Sequence, residues 1–405
     1  MAPFDLRSLP DDFIADPFRH YAHLRDTAPV YQLPSGGLFL TRHADLLRVY
    51  KDWRTFSSDK KVEFAPKFGD GLLFEHHTTS LVFNDAPLHT RVRRAIAGAL
   101  APRAVRGMED IVQTLVNRLL DDMDGMEAPD GLRDFAQNIP IAVIGDLLAI
   151  PADERGPLRD WSLAILGALE PEISTETHAR GEQAVRDFLD YLADLVARRR
   201  AAGVDKDQDI MARLIRDTYD AGEDAALLPH ELLQNCIFIL NAGHETTTNL
   251  ICSGIYLLSQ RPTIITQLNN NPDLWPAAIE EILRLESPNQ LGNRRAVAPF
   301  EMGDITWPEG TLLTLSMGAA NRDPEVFEYP DEFRLDRGDN PHLAFAGGIH
   351  VCAGNTIARI EGHIALATLF RRWPNLQLGD GLQRSPRVRF RGFERLPLEL
   401  TPPAL

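Results

Sequence analysis

Residues 345–354 read Phe345-Ala346-Gly347-Gly348-Ile349-His350-Val351-Cys352-Ala353-Gly354. A single cysteine sits in a loop with glycines at 347, 348 and 354. In the next stretch Ile357, Ile360, Ile364 and Ala367 recur at helical spacing, which predicts a helix starting just after the cysteine. The free N–H groups and positive dipole end of a helix N-terminus favour an anion, so a thiolate is stabilised there over a thiol. Glycines let the backbone curl around the sulfur and let a flat partner come close.

An anionic sulfur in such a loop, with His350 two residues away, suits a metal ligand or a nucleophile. A zinc site requires several ligands at short spacing, and the other cysteines, Cys236 and Cys252, lie far back in an apolar run. A lone sulfur ligand fits haem iron, whose equatorial ligands come from the porphyrin. Taken alone, Cys352 also reads as a small core residue beneath a helix.

The chain has 405 residues, 44% apolar and 25% charged, which is an ordinary globular composition with material for a large core. No linker, repeat or low-complexity tract divides it, so one domain over 1–405 is expected. The net charge of −16 argues against nucleic acid and anionic membrane surfaces as partners. Three cysteines point to a reducing compartment. The N-terminus lacks the apolar core of a signal peptide, and no run of 18 apolar residues occurs, so a cytoplasmic protein is expected.

In chain order, a helical pattern around Tyr21 and Leu24 is followed by a hairpin, 29–33 and 38–41, about Pro34-Ser35-Gly36-Gly37, and then by a helix over about 44–52. Residues 59–80 show no clear period and are expected to form an irregular loop. Pro87 suits the first turn of a helix that carries His89 and Arg93 on one face, a ready anion site or a solvated basic face. Residues 104–219 are expected to be mostly helical, with a polar loop at 201–209. From Pro229 to Gln260 runs one apolar helix interrupted by Ala242-Gly243-His244-Glu245-Thr246-Thr247-Thr248. Glycine and consecutive threonines are poor helix residues, and a buried acid and hydroxyl are costly unless used. Glu281 and Arg284 are three apart on a helix that ends near Pro288, a spacing that by itself reads as a surface ion pair.

The decapeptide resembles the haem-binding loop of the cytochrome P450 family, Phe-Gly-x-Gly-x-His-x-Cys-x-Gly. Phe345, Gly348, His350, Cys352 and Gly354 match, while Ala346 replaces the usual glycine. That substitution is harmless at negative φ and strained at positive φ. Further stretches resemble family motifs in the family's order: Asp85 to Arg93, Ala242 to Thr247, Glu281 to Arg284, Asn321-Arg322-Asp323-Pro324 with Phe327, and the turn at Gly392-Phe393.

The resemblance implies a mainly α (α+β) fold with a smaller β-rich part, haem b as cofactor, and Cys352 as axial ligand of its iron. His89, Arg93 and Arg294 would bind haem propionates. Ala242 and Gly243 would leave room for dioxygen, and Glu245 and Thr246 would supply and relay protons. Glu281, Arg284 and Arg337 would form a structural lock behind the haem loop. Phe83, Asn289, Gln290 and Phe393 align with segments that line the substrate pocket.

The implied activity is a monooxygenase that inserts one oxygen atom from O2 into a small or medium-sized, largely apolar substrate, by hydroxylation or oxidative dealkylation. Electrons would come from a separate ferredoxin and its reductase, docked near Arg91, Arg94 and Arg103. A peroxide-driven haem-thiolate peroxygenase is the first alternative; the Glu245–Thr246 pair argues against it. A non-catalytic haem sensor is the second, and no signalling module accompanies the motifs.

Overall fold

The structure, a computed structural model, describes residues 4–97, 100, 105–203, 210–219 and 227–400. Most of the expected loop at 201–209, and Arg103, lie outside these residues. The chain folds into two compact units, each assembled from separate stretches.

The first unit comprises Met1–Ser57, Glu109–Ile139 and Thr246–Leu405. It opens with α1 (Phe18–Thr27), the hairpin β1 (Val30–Gln32) and β2 (Leu38–Leu40), α2 (His43–Lys51) and β3 (Phe56–Ser57). The hairpin and the helix fall where the sequence placed them. Gly36 and Gly37, at φ 95° and 84°, make the turn that only glycine takes without strain. β2 then pairs in parallel with β7 (Leu312–Ser316), which pairs antiparallel with β4 (Leu291–Ala296), giving a five-stranded sheet in the order β1-β2-β7-β4-β3. Leu38, Leu40, Leu313 and Leu315 of this sheet pack with Leu46, Val49 and Tyr50 of α2 in one apolar core.

The helical part of this unit is centred on α15 (Asn355–Arg372), which packs against α6 (Glu109–Met123) and α13 (Trp275–Leu285). Small residues set its approach to residues 246–259: a side chain at Gly362 would stand 3.0 Å from Leu250, and one at Gly254 would collide with Leu366.

The second unit comprises Ser58–Met108 and Pro140–Glu245. It holds α3 (Lys61–Phe68), α4 (Leu72–Thr79), α5 (Leu88–Ala97), most of α7 (Asn138–Leu147), α8 (Leu158–Gly167), α9 (Thr175–Ala202), α10 (Ile210–Tyr219) and the first half of α11 (Pro229–Ser259). One apolar cluster runs through it, from Phe68 and Leu73 to Val185, Phe188, Ile237 and Leu240.

α3 and α4 occupy the stretch expected to be an irregular loop, and the difference has a tertiary cause. The carboxylate of Glu182 on α9 accepts the free N–H groups of Leu72 and Leu73 at 2.8 and 2.9 Å, capping α4 from another helix. His76 Nδ1 meets Gln234 Oε1 at 2.9 Å, which ties α4 to α11. Neither partner is close in sequence.

No helix among the described residues is long and apolar enough to cross a membrane. The mainly helical architecture with small sheets is the expected fold class.

Candidate active site

In the first unit the loop 345–354 closes on itself. The Cys352 N–H donates to the Phe345 carbonyl at 3.0 Å, and the Val351 N–H to the Gly348 carbonyl at 3.2 Å. Asn355, the first residue of α15, donates its side-chain amide to the Cys352 carbonyl at 2.6 Å. Cys352 is half-buried and forms no disulfide, and a side chain at Gly354 would stand 4.0 Å from its sulfur. Gly348 has φ +64°, and a Cβ there would collide with the Tyr50 carbonyl, so no other residue fits. Ala346 has φ +56°. Of the two outcomes open from the sequence, the strained one holds: a left-handed alanine costs about 1–2 kcal/mol more than a right-handed one.

Tyr50 joins the loop to the candidate propionate ligand Arg294. The Arg294 guanidinium lies 5.3 Å above the Tyr50 ring, while a side chain at Gly347 would stand 3.3 Å from the Tyr50 Cβ. Arg294 sits on β4 opposite Leu313 and is nearly buried, whereas its neighbour Arg295 faces the other way. Burial pushes the Tyr50 hydroxyl up to about 12, although Arg294 opposes it, so the ring is neutral. No motif marks Tyr50 in the sequence.

Behind the loop, Glu281 gathers five donors: Arg284 Nε and Nη2 at 2.7 and 2.8 Å, Arg337 Nε at 3.0 Å, Asn340 Nδ2 at 3.0 Å and the Arg334 N–H at 2.9 Å. Arg284 is fully buried, so this is not the surface pair that the spacing alone would give. Burial pushes the Glu281 carboxyl up, but Arg284 and Arg337 outweigh it and hold it below the usual range.

A second acid, Glu280, was invisible to motif reading. It accepts from Arg359 at 2.6 and 2.8 Å and meets His342 at 2.9 Å. Burial opposes ionisation, yet these bonds bring its carboxyl down to about 2. Arg359 also reaches the Asn355 side chain at 3.0 Å and lies 4.5 Å above the Phe345 ring, so it braces both ends of the cysteine loop. The signal that could have found it is Arg359 itself, one helical turn after Asn355.

In the second unit, His89 is buried and Arg93 half-buried on one face of α5. Arg91 is bound by Glu231 of α11 at 2.5 and 2.6 Å. That contact corrects the expectation that Arg91 offers positive charge to a partner: its charge is matched within the fold, while Arg94 is exposed.

Along α11, Glu245 is buried and Thr246 half-buried, and the boundary between the two units falls between them. Ala242 is exposed in the middle of this helix, next to the buried Asn241. Gly243 has a packing role as well: a Cβ there would collide with Ile144 of α7. Burial, and secondarily Arg159, lowers His244 to about 3, so its ring is neutral.

The candidate pocket residues separate. Gln290 donates its amide to the Ser287 carbonyl at 2.7 Å, and Asn289 forms a bridge with Phe390. Phe393 packs at 5.5 Å on Tyr256, at the loop end of the hairpin of β9 (Gln383–Arg384) and β10 (Phe393–Arg395). Phe83 meets Phe64 and His77 edge-on in the second unit.

This donor set fits a haem. Among the described residues no group of three or more His, Cys, Asp or Glu side chains could hold a bare metal ion. A single thiol in a glycine-lined loop therefore suits an iron whose other ligands come from a macrocycle.

The sequence matches the family model described as "Cytochrome P450" over residues 169–381. It is 32% identical over 391 residues to the "Biotin biosynthesis cytochrome P450" of Bacillus subtilis, covering 96% of this chain and 97% of that one. It is 34% identical over 413 residues to the "6-deoxyerythronolide B hydroxylase" of Saccharopolyspora erythraea, covering 98% of each. Its structure resembles that of P450BioI in complex with a hexadec-9Z-enoic acid ligated acyl carrier protein, with a TM-score of 0.89, 31% identity, and 96% and 100% of the two chains covered.

Proposed function

Since this chain belongs to the cytochrome P450 family and is a haem-b-dependent monooxygenase, we propose that it hydroxylates or oxidatively dealkylates a small or medium-sized, largely apolar organic molecule, with electrons from a separate ferredoxin and its reductase. The observation that carries this reading is Cys352, outside any disulfide and held by backbone hydrogen bonds in a loop that only glycine can complete at 348. The 405 residues act as one functional P450 domain.

Cys352 would hold the haem iron, its sulfur kept as a thiolate by the α15 N-terminus. His89, Arg93 and Arg294 bind the propionates, with Arg294 oriented by the Tyr50 ring. When bound through a thiolate, haem activates dioxygen for insertion of one oxygen atom into a C–H bond. Thr246 donates a proton from its hydroxyl, and Glu245, one residue before it, resupplies that proton. Glu281, Arg284 and Arg337 keep the cysteine loop from shifting, and so do Glu280 and Arg359. Phe83 and Asn289 face substrate. Gln290 and Phe393 act at the pocket's margin, since their side chains are engaged with Ser287 and Tyr256.

The deciding test is the reduced carbon monoxide complex of the purified protein. A thiolate ligand red-shifts its Soret band, and Cys352→Ala abolishes that band. Persistence of the band in the variant refutes the assignment.

A further inference from the structure

The first half of α11 carries three buried amides, Gln234, Asn235 and Asn241. Two of them are engaged at both ends. Gln234 Oε1 meets His76 Nδ1 at 2.9 Å, and its nitrogen donates to Glu75 at 3.4 Å. Asn235 accepts the Leu81 N–H at 3.1 Å and donates to the Glu231 carbonyl, one turn back, at 2.8 Å.

Asn241 differs from both. It is 3% exposed, and neither its Oδ1 nor its Nδ2 has a hydrogen-bond partner among the described residues. Its nitrogen does not even take the carbonyl one turn back, as that of Asn235 does. A buried amide with both ends unpaired is costly, and asparagine is a poor residue inside a helix. Neither packing nor helix propensity accounts for it.

The residue also borders the open strip of the helix. Phe238 is half-buried and Ala242, one turn later, is exposed, whereas Ile237, Ile239, Leu240 and Asn241 are buried. At 3.6 residues per turn Asn241 stands about 60° around the helix from Phe238, and it directly precedes Ala242. A molecule lying along the strip touches Phe238 and Ala242 and has Asn241 at its margin.

The group that satisfies Asn241 needs an acceptor for Nδ2 and a donor for Oδ1, side by side. It is also uncharged. A buried carboxylate needs a cation, and the residues one turn away, Ile237, Phe238, His244 and Glu245, supply none, since the His244 ring is neutral.

We propose that Asn241 selects a substrate bearing a primary amide or a lactam on an otherwise apolar skeleton. Its Nδ2 donates to the substrate's carbonyl and its Oδ1 accepts the substrate's N–H, while Phe238 and Ala242 cover the apolar remainder. The assignment rests on the monooxygenase reading, in which α11 flanks the substrate, and adds to it the substrate's polar group and the residue that reads it.

The test compares the haem-loaded enzyme with its Asn241→Leu variant, which is close in volume and lacks both polar atoms. Without ligand the variant should unfold about 1–3 °C above the parent, followed by tryptophan fluorescence, because an unpaired buried amide is gone. A midpoint below the parent's means that the amide is bonded within the fold through a buried water, and overturns the proposal. Binding is read from the spin-state shift of the Soret band and from the rise in midpoint, with octanamide, N,N-dimethyloctanamide, octanoate and octane as probes. The parent should bind octanamide more tightly than the other three, and roughly tenfold to a hundredfold more tightly than Asn241→Leu does. Octane should bind both proteins equally. Octanamide bound no more tightly than octane or octanoate, or unaffected by the substitution, overturns the proposal. A parent without the red-shifted carbon monoxide band refutes the monooxygenase reading instead, and the midpoints with and without octanamide still decide the role of Asn241.

Discussion

Replacing Glu281 by glutamine tests whether the lock behind the cysteine loop holds it in place. The carboxylate is 1% exposed and receives five hydrogen bonds, three of them from guanidinium groups. Glutamine keeps one acceptor oxygen, adds two donors that point at other donors, and leaves the charges of Arg284 and Arg337 unmatched. Breaking a buried pair by removing one partner costs roughly 3–5 kcal/mol, a large share of the 5–15 kcal/mol that typically holds a domain together. Glu281→Gln should therefore lower the denaturation midpoint sharply and release haem early, read from the Soret band during a guanidinium titration.

All five N–H groups of Arg284 are used, two on Glu281 and the others on the carbonyls of Asn321, Pro330 and Glu332. Arg284→Met thus strips the Asn321 and Pro330 carbonyls of this donor and takes two of the five donors from Glu281, while Arg337 still reaches the Glu332 carbonyl. The double variant should nevertheless lose about 1–3 kcal/mol less than the sum of the single variants, because each single change leaves the charge of the other partner short of its match and the double change removes both. The pH profile follows from the same pair. Glu281 has a folded pKa below its unfolded value near 4.3. Its contribution is complete above that value and is lost as pH falls below it; the parent should weaken there, while Glu281→Gln shows a flatter slope. Additive single effects, or a loss under 1 kcal/mol, refute the reasoning.

Other outcomes can be checked directly. Gly243→Ala forces a methyl into Ile144 and should cost about 1–3 kcal/mol in thermal or chemical unfolding, with Ile144→Val restoring most of it. Ala346→Gly relieves about 1–2 kcal/mol of left-handed strain and incurs about 0.5–1 kcal/mol from added chain freedom, so the unfolding midpoint should hold or rise; a clear fall contradicts the strained assignment. Thr246→Ala should keep consuming reduced nicotinamide through the donor chain but release mostly peroxide, measured as the ratio of product to cofactor used. Turnover with a ferredoxin should fall as salt rises, through exposed groups such as Arg94 and not through Arg91, so Arg91→Gln should leave the salt slope unchanged while destabilising the α5–α11 contact.

The candidate site was legible in the sequence where chemistry demands particular atoms at fixed spacing. A thiolate ligand must be cysteine, the tight loop must be glycine at 348, and the helix after it must show its period; all three are local properties of 345–370. The same holds for the 229–259 helix and its polar interruption, and for the hairpin with its glycine turn. These elements were found because a short stretch contains the whole signal.

What the tertiary structure alone decided depends on partners far away in the chain. Residues 72–79 are held as a helix with Glu182 and Gln234, which supply caps and contacts that no local pattern announces. Arg91 is neutralised by Glu231, and Arg294 is oriented by Tyr50. The sign of φ at Ala346 is set by the loop's closure and not by alanine's own preference, which lies on the other side. Spacing brings Glu281 and Arg284 to one helix face, but only burial with Arg337 and Asn340 turns a surface ion pair into a lock, because an ion pair's strength is set by how much water surrounds it.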